Sequence, residues 1–196
     1  LTEKQIAKEI DEFFIDNGAD DVAFSTIVAS GKNSSMPHVV PTNKKIEAGD
    51  PITIDMGCKY KGYCSDMTRT IFAGFVPEEV KPVYELVLKN QRQVINEMKE
   101  GVNLKLVSRM VENDFKLHGY DLIHALGHGV GLEIHEFPFA STRMDFVLKN
   151  NMIVTDEPGI YIPNQFGVRI EDTVLVNRGM STSLTKSEKD YVVVDA

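Results

Sequence analysis

The apolar positions at the start of the chain have the spacing of an amphipathic helix. The side chains that recur on one helical face are Ile6, Ile10, Phe13 and Phe14. Thr2 with Gln5 three positions later fits a capping box, and Gly18 fits the residue that follows a helix. The pattern therefore predicts a helix from about Thr2 to Gly18 that packs against the rest of the fold.

Two further helices are predicted in the middle of the chain. In the first, apolar residues recur near helical spacing between a start at Pro77 and Glu78 and an end at Gly101. In the second, Asn103 fits an N-cap and Gly119 a terminator. Strand-like runs surround these helices at positions 22–30, 52–56, 63–72, 122–138, 152–163 and 167–176. The two helices are therefore expected to cover a sheet.

Two acids interrupt the apolar pattern on either side of a predicted hairpin turn. Asp55 and Asp66 are eleven residues apart, and a hairpin brings such residues beside each other. Burying two carboxylates together costs free energy unless a cation or a shared proton compensates, which favours a metal pair or an aspartyl dyad. The alternative is that Asp66 caps a turn and Asp55 ends an exposed edge strand.

Composition and charge narrow the class of protein. The 196 residues are 42% hydrophobic, which suits one domain with a sizeable core. The 29 acidic and 21 basic residues give a formal net charge of −8, which argues against a nucleic-acid partner. No apolar run approaches the ~20 residues of a transmembrane helix, and the N-terminus lacks the zones of a signal peptide. We therefore expect no membrane partner, a cytoplasmic location, and free thiols at Cys58 and Cys64.

Histidine is concentrated in two places. His38 lies between two prolines, which stiffen the backbone around its ring, although an ordinary solvent-facing loop histidine fits the same pattern. Three of the five histidines, at His124, His128 and His135, lie in a segment interleaved with glycine. This interleaving favours a functional site over three separate core histidines.

Four acids and one histidine share the property of lying in strand-like, apolar segments. They are Asp55, Asp66, His128, Glu157 and Glu171. Oxygen-rich ligation with one nitrogen suits Mn, Co, Zn or Fe(II), and carboxylates can bridge two ions about 3.5–4 Å apart. Four carboxylates carry a charge of −4, which two divalent cations balance and one does not. A water that bridges two such ions has its pKa lowered towards about 7, so that hydroxide is available to attack a carbonyl. The set therefore predicts a dinuclear hydrolase.

Five short motifs, in order along the chain, resemble those of a known family. They are SGKNSSMPHVVPT, IDMGCKYKGYCSDMTRT, GHGVGLEIHEFP, TDEPGIY and VRIEDT. Together they resemble the pita-bread metallopeptidases, in particular the branch that holds prolidase (Xaa-Pro dipeptidase) and aminopeptidase P. The resemblance implies an α+β pita-bread (creatinase/aminopeptidase) fold, in which helices cover a curved antiparallel sheet.

The resemblance also implies a role for each site residue. The ligands of two divalent ions would be Asp55, Asp66, His128, Glu157 and Glu171, with Asp66 and Glu171 bridging. Glu157 would serve as the general acid/base, while His38 and His135 would orient the substrate and stabilise the tetrahedral intermediate. Arg169 would hold the site or bind the far end of the substrate.

The implied activity is that of a metal-dependent exopeptidase acting on peptides or dipeptides with proline at the second position. Methionine aminopeptidases share the fold and metal set, and a non-catalytic pita-bread module that binds a partner is a further alternative. Arg69 and the Arg169–Asp172 run resemble the proline-directed branch more. Phe139 stands where some prolidases place an arginine that binds the dipeptide's carboxylate, which leaves Arg143 as a substitute. Dipeptide preference is therefore left open.

The whole chain, residues 1–196, is interpreted as one catalytic domain. It begins at Leu1 inside the early helical region, so we expect that an N-terminal domain and the start of the first helical region are missing from it. In the full-length protein that domain would contribute to a homodimer and to closing the substrate cleft.

Overall fold

The computed structural model describes residues 1–195, which form three α-helices, fourteen short strands and one 3₁₀ helix at Gly31–Ser35. The α-helices are α1 (Glu3–Asp16), α2 (Lys81–Glu97) and α3 (Leu104–Leu117). The strands are β1 (Asp21–Val22), β2 (Ile27–Ser30), β3 (Pro51–Met56), β4 (Cys58–Tyr60), β5 (Tyr63–Cys64), β6 (Met67–Ala73), β7 (Gly127–Gly129), β8 (Glu136–Ala140), β9 (Ile153–Asp156), β10 (Gly159–Ile162), β11 (Phe166–Arg169), β12 (Asp172–Leu175), β13 (Thr182–Ser183) and β14 (Val193–Val194). This mixture is the predicted α+β class.

The strands form four hydrogen-bonded sheets instead of one continuous sheet. The two larger sheets have the strand orders β14-β6-β3-β2 and β13-β12-β9-β7-β8, and the smaller ones are β1-β4-β5 and β10-β11. Within residues 1–195 the pairs are antiparallel except that β14 runs parallel to β6. The predicted antiparallel arrangement is therefore present, but it is divided into sections.

Two hydrophobic clusters hold the helices against the strands. The larger cluster joins Val87 of α2 and Phe115 of α3 to Val154 of β9, all three fully buried. The smaller cluster joins Ala7 of α1 to Val28 of β2. Removing these apolar side chains from water stabilises the fold, so the predicted covering role of the two central helices is confirmed.

The helix ends largely follow the predicted signals. Thr2 and Gln5 form the capping box at the start of α1, and the Asn103 side chain accepts a hydrogen bond from the backbone N–H of Lys105 at the start of α3. Helix α2 begins at Lys81, a few residues after the predicted start. Pro82 lies in its first turn, where backbone N–H groups have no partner within the helix, so the N–H that proline lacks is not missed. Among the described residues no helix is both long and apolar enough to cross a bilayer.

The predicted hairpin is present and carries a smaller hairpin at its end. Asp55 on β3 lies opposite Thr68 on β6. The turn between β4 and β5 contains Lys61 and Gly62, whose φ angles of 50° and 81° are those of a tight hairpin turn. The neighbouring cysteines are both free thiols, as predicted.

Three of the four acids lie at breaks between strands. The runs at 152–163 and 167–176 are each divided in two, because β9 pairs with β12 while β10 pairs with β11. Glu157 and Glu171 lie in the resulting gap, and Asp66 lies just before β6. The prediction that these three acids lie within strands was therefore wrong. Pro158 has no N–H to donate to the ladder, which is a physical reason for the break after Glu157.

Glu3 ties helix α1 to the loops beside β2. Its buried carboxylate accepts hydrogen bonds from the backbone and side chain of Ser30, from the side chain of Asn33, and from the backbone and side chain of Thr42. Burial alone would raise the pKa of Glu3, but the hydrogen bonds from Thr42 and Ser30 outweigh it and lower the pKa below its ordinary value. The ionised form is therefore the one that holds these elements together.

We predict that Glu3→Gln lowers the free energy of unfolding by about 1–3 kcal/mol at pH 7, the usual effect of hydrogen bonds to a charged group. Because the folded state depresses this pKa, the stabilisation is present above the unfolded-state pKa of about 4.3 and is lost as the pH falls through the folded-state pKa. Urea unfolding of both proteins at pH 7 and at pH 3 measures the difference. An equal difference at both pH values would contradict the prediction.

Candidate metal centre

One cavity of about 260 Å³ gathers the predicted site residues. The predicted residues in its wall are His38, Asp55, Asp66, His128, His135, Glu157, Arg169 and Glu171. They come from positions as far apart as the loop after the 3₁₀ helix and the start of β12. The fold therefore brings together side chains that the sequence distributes over more than half of its length.

His128 is held with one ring nitrogen free for a ligand. The residue before it, Gly127, packs directly against β9. A side chain there would clash, because a Cβ on Gly127 would lie 2.0 Å from the Thr155 carbonyl oxygen. The His128 Nδ1 lies 2.9 Å from the Gly129 carbonyl oxygen, to which it must donate. Its other ring nitrogen, Nε2, is therefore an unprotonated donor of a lone pair when the ring is neutral, which is the form that binds a metal ion.

Three of the five predicted ligands form a compact group. Ligand atoms of Asp66, His128 and Glu171 all lie within 4.8 Å of one another, and all three residues are buried. The His128 Nε2 lies 3.4 Å from an Asp66 oxygen and 3.5 Å from a Glu157 oxygen. Asp55 and Glu157 line the same cavity outside this group of three. Their role as ligands stays a prediction.

The acids of this site raise one another's pKa. Burial is the largest cause for Asp66, Glu157 and Glu171, and the neighbouring carboxylates add to it. The pKa of Glu157 reaches about 7 although His128 and Arg169 oppose the rise, and the pKa of Glu171 lies well above its usual range. These carboxylates are therefore short of positive charge, which is the condition that a divalent cation relieves.

An unpartnered oxygen supports the same conclusion. The Oδ1 of Asp55 is buried and has no hydrogen-bond partner among residues 1–195. A buried carboxylate oxygen without a donor is costly unless something else binds it. The donor set of carboxylates and one imidazole suits a divalent cation, so the residues present fit such an ion.

Arg169 changes the charge count of the site. Its buried guanidinium donates to Asp55 Oδ2 at 2.7 Å, to the Tyr161 hydroxyl at 2.8 Å and to Thr68 Oγ1 at 3.2 Å. The prediction balanced four carboxylates against cations alone, and it omitted this fixed positive charge. With Arg169 included, charge balance no longer distinguishes one divalent ion from two. Of the two roles that the resemblance implies for Arg169, these contacts fit the one in which it fixes the positions of the site residues.

His124 and Tyr161 belong to the site but received no role from the sequence. The His124 Nδ1 donates to the Ala125 carbonyl oxygen, so its Nε2 accepts from the Tyr161 hydroxyl at 2.9 Å. Burial lowers the pKa of His124 to about 4, and burial raises that of Tyr161 to about 12. Both groups are therefore neutral at pH 7. The sequence feature that could have pointed to His124 as a site residue is its position four residues before His128.

His135 lies beside the ligand group. Its ring packs edge-on against His128, with 4.4 Å between the ring centroids. Burial and then the positive charge of His128 lower the pKa of His135. His38, in the loop after the 3₁₀ helix, lines the same cavity. Both imidazoles therefore lie where a bound substrate would meet them, and their catalytic roles stay predictions.

A buried acid behind the cavity was not predicted. Asp156 precedes Glu157, is fully buried, and has no hydrogen-bond partner for either carboxylate oxygen among the described residues. Burial and then the charge of Asp172 on the facing strand raise its pKa well above the usual range. Its place within an apolar run was visible in the sequence, but nothing there showed that its side chain lacks a partner.

Comparison with known proteins identifies the class. The model of metallopeptidase family M24 matches residues 1–178, and the chain therefore belongs to this family. Membership implies a divalent metal cofactor. The predicted resemblance to pita-bread metallopeptidases is thereby confirmed at the level of the family.

The relatives identify the branch more closely. The Xaa-Pro dipeptidase of Pyrococcus horikoshii is 43% identical over 192 residues, which is 97% of this chain and 55% of that protein. The solved prolidase of Pyrococcus furiosus is 45% identical with a TM-score of 0.93, over 96% of this chain and 56% of the other. The X-Pro aminopeptidase of Thermotoga maritima is 41% identical with a TM-score of 0.96, over 99% and 56%. These likenesses confirm the predicted pita-bread fold and the prolidase/aminopeptidase P branch. The chain spans about half the length of the curated relatives it matches.

We predict that Asp66→Ala weakens Mn²⁺ binding by at least about 100-fold. Replacing a residue that only hydrogen-bonds to a metal ligand already lowers metal affinity by about 10–100-fold, and Asp66 is a proposed ligand itself. Isothermal titration of the ion-free protein with MnCl₂ gives the dissociation constant. Asp16→Ala, which removes an exposed acid from α1, is the matched control and should bind as the unaltered chain does. Unchanged affinity in Asp66→Ala would show that this group is not the metal site.

Proposed function

We propose that the protein containing this chain is a metallo-exopeptidase that hydrolyses the bond between an N-terminal residue and proline. Residues 1–196 are proposed as its catalytic domain. The observation that carries the proposal is the cavity in which Asp66, His128 and Glu171 converge beside Glu157. A group that fits a divalent cation and a carboxylate beside it that can move a proton are the two parts that metal-assisted amide hydrolysis requires.

The proposed cofactor is a pair of divalent ions, with Mn, Co, Zn and Fe as candidates. The residues that would hold them are Asp55, Asp66, His128, Glu157 and Glu171, with Asp66 and Glu171 shared between the ions. When bound, such ions polarise the scissile carbonyl and lower the pKa of a coordinated water to about 7. The buried, unpartnered oxygen of Asp55 supports the inclusion of that residue.

Glu157 is proposed to move the proton of the reaction. A general acid/base must lie within reach of the reacting groups, and the Glu157 carboxylate lines the cavity 3.5 Å from the His128 Nε2. The carboxylate takes a proton from the attacking water and then gives it to the departing nitrogen. The imidazoles of His38 and His135 face the same space and are proposed to orient the substrate and stabilise its developing negative oxygen.

The apolar part of the cavity wall suits a peptide substrate with proline at the second position. Phe24, Ile27, Ile134 and Phe139 supply an apolar surface beside the ligand group. A pyrrolidine ring is apolar and has no amide N–H, so it suits a wall of this kind. The proposed partner is therefore a peptide substrate.

Substrate length is proposed from the charges in the cavity wall. Within residues 1–195 the one arginine or lysine that lines it is Arg169, which is already bound to Asp55 and Tyr161. Arg143 lines a neighbouring polar recess instead. A dipeptide's carboxylate therefore finds no unengaged guanidinium in the described wall of this cavity. We propose tripeptides and longer peptides as the preferred substrates.

The proposal also covers the location, the partners and the oligomeric state of the protein. A cytoplasmic location is supported by the lack of a membrane-crossing helix in residues 1–195 and by two free thiols. The net charge of −8 supports the proposal that nucleic acid is not a partner. A homodimer is proposed for the full-length protein.

We predict that Glu157→Gln lowers kcat for Ala-Pro-Pro by about 10²–10⁴-fold, the usual contribution of a general acid/base. Elemental analysis of the same preparation separates the loss of proton transfer from the loss of metal. A variant that keeps its metal and also keeps its kcat would remove Glu157 from the proposed role.

We predict that the full-length protein hydrolyses Ala-Pro-Pro with a higher kcat/KM than Ala-Pro, and that Phe139→Arg narrows this gap by supplying a partner for the dipeptide's carboxylate. Phe137→Arg, which adds the same charge outside the cavity wall, is the control. The assay is release of free alanine with added Mn²⁺. Cleavage of Met-Ala-Ser alone would point to a methionine aminopeptidase, and metal binding without any cleavage to a non-catalytic binding module.

A further inference from the structure

Arg69 lies behind the ligand group and has all of its N–H groups engaged. Its Nη1 donates to the carbonyl oxygens of Thr68 at 2.8 Å and Glu171 at 2.5 Å. Its Nη2 donates to Asp172 Oδ1 at 2.7 Å and to the Ser187 carbonyl oxygen at 3.1 Å, and its Nε donates to the Glu188 carbonyl oxygen at 3.0 Å. Five donors thus meet five acceptors, the full capacity of a guanidinium.

Asp172 completes the same network from the other side. Its Oδ1 accepts from Arg69 and from Thr185 Oγ1 at 2.6 Å, and its Oδ2 accepts from Gln91 Nε2 at 3.0 Å and Lys189 Nζ at 2.6 Å. The side chain of Asp172 is fully buried. A buried carboxylate with four donors is strongly fixed in position.

The ligand candidate Glu171 is fixed by this network on three sides. Its carboxylate accepts from Thr68 Oγ1 at 2.7 Å, and its N–H donates to the Thr68 carbonyl oxygen at 3.0 Å. Its own carbonyl oxygen accepts from Arg69, and the next residue is Asp172. Arg69 therefore holds the backbone of Glu171 directly, while Thr68 holds its carboxylate.

Residues 185–190 supply four of the contacts in this network. They contribute the side chains of Thr185 and Lys189 to Asp172 and two carbonyl oxygens to Arg69. We call these residues the C-terminal clamp. None of them lies in the wall of the cavity. Its hydrogen bonds reach the site indirectly, with Arg69 and Asp172 in between.

We propose that Arg69 and Asp172 are positioning residues for Glu171, and that the C-terminal clamp holds them in place, so that the affinity of the site for a divalent cation depends on the clamp. The inference rests on the proposed role of Glu171 as a metal ligand. A carboxylate that is already held in its binding conformation loses less freedom when it binds an ion, and partners of ligands are known to set metal affinity.

The test compares a loosened clamp with a control variant in the full-length protein. Thr185→Val combined with Lys189→Met removes both clamp side chains from Asp172. Asn103→Ala is the control, because it removes the N-cap hydrogen bond of α3, which stabilises the fold outside the network of Arg69 and Asp172. Isothermal titration with MnCl₂ measures affinity, and thermal unfolding of the ion-free proteins measures stability.

We expect the double variant to bind Mn²⁺ about tenfold more weakly, which is the lower end of the effect of removing a ligand's partners, while Asn103→Ala binds normally. Both variants should lower the melting temperature. Thr185→Ser with Lys189→Arg keeps the donors and should restore the affinity. Unchanged affinity in the double variant, or an equal loss in Asn103→Ala, overturns the inference.

Glu171→Gln distinguishes this inference from the proposed function. If Glu171→Gln binds Mn²⁺ as tightly as the unaltered protein, Glu171 is not a ligand and the proposed metal centre fails. If Glu171→Gln binds weakly while the double variant binds normally, the metal centre stands and the role of the clamp alone is rejected.

Discussion

Four largely buried carboxylates share one small cavity, and the rest of the structure depends on how their mutual repulsion is compensated. Arg169 offsets part of the charge by binding Asp55, and His128 lies within 3.5 Å of both Asp66 and Glu157. Burial, and then the remaining negative charge, raise the pKa of Asp66, Glu157 and Glu171. A fold that keeps acids in this state gives up stability for a site that binds cations.

The breaks in the strand ladders aim these acids into the cavity. In a continuous strand, alternate side chains point to opposite faces, so neighbouring strands could not turn Glu157 and Glu171 towards one centre as freely. The gap between the β9–β12 and β10–β11 pairs releases both residues from that alternation. Behind the gap, Arg69 donates to the Glu171 carbonyl oxygen that the ladder leaves free, and Asp172 binds the same guanidinium. The irregular backbone is thus part of how the site is built.

Much of this was predictable from the sequence, and the failures have physical causes. Apolar periodicity and caps such as Thr2 and Asn103 located the helices, since those signals are local. The family resemblance named the residues of the cavity wall. Periodicity did not show the breaks at Glu157 and Glu171, because an apolar run continues across them. It also could not show that Arg169 neutralises Asp55, since that contact joins residues far apart in sequence.

The central claim is that the carboxylates around His128 form a divalent-cation site. The most direct test is a crystal structure of the protein grown with MnCl₂, with anomalous scattering used to locate the manganese. The account predicts anomalous peaks within bonding distance of His128 Nε2 and of the carboxylates of Asp66 and Glu171, with a second peak beside Asp55. A fully ordered cavity without an anomalous peak, in crystals that bind manganese elsewhere, would contradict it.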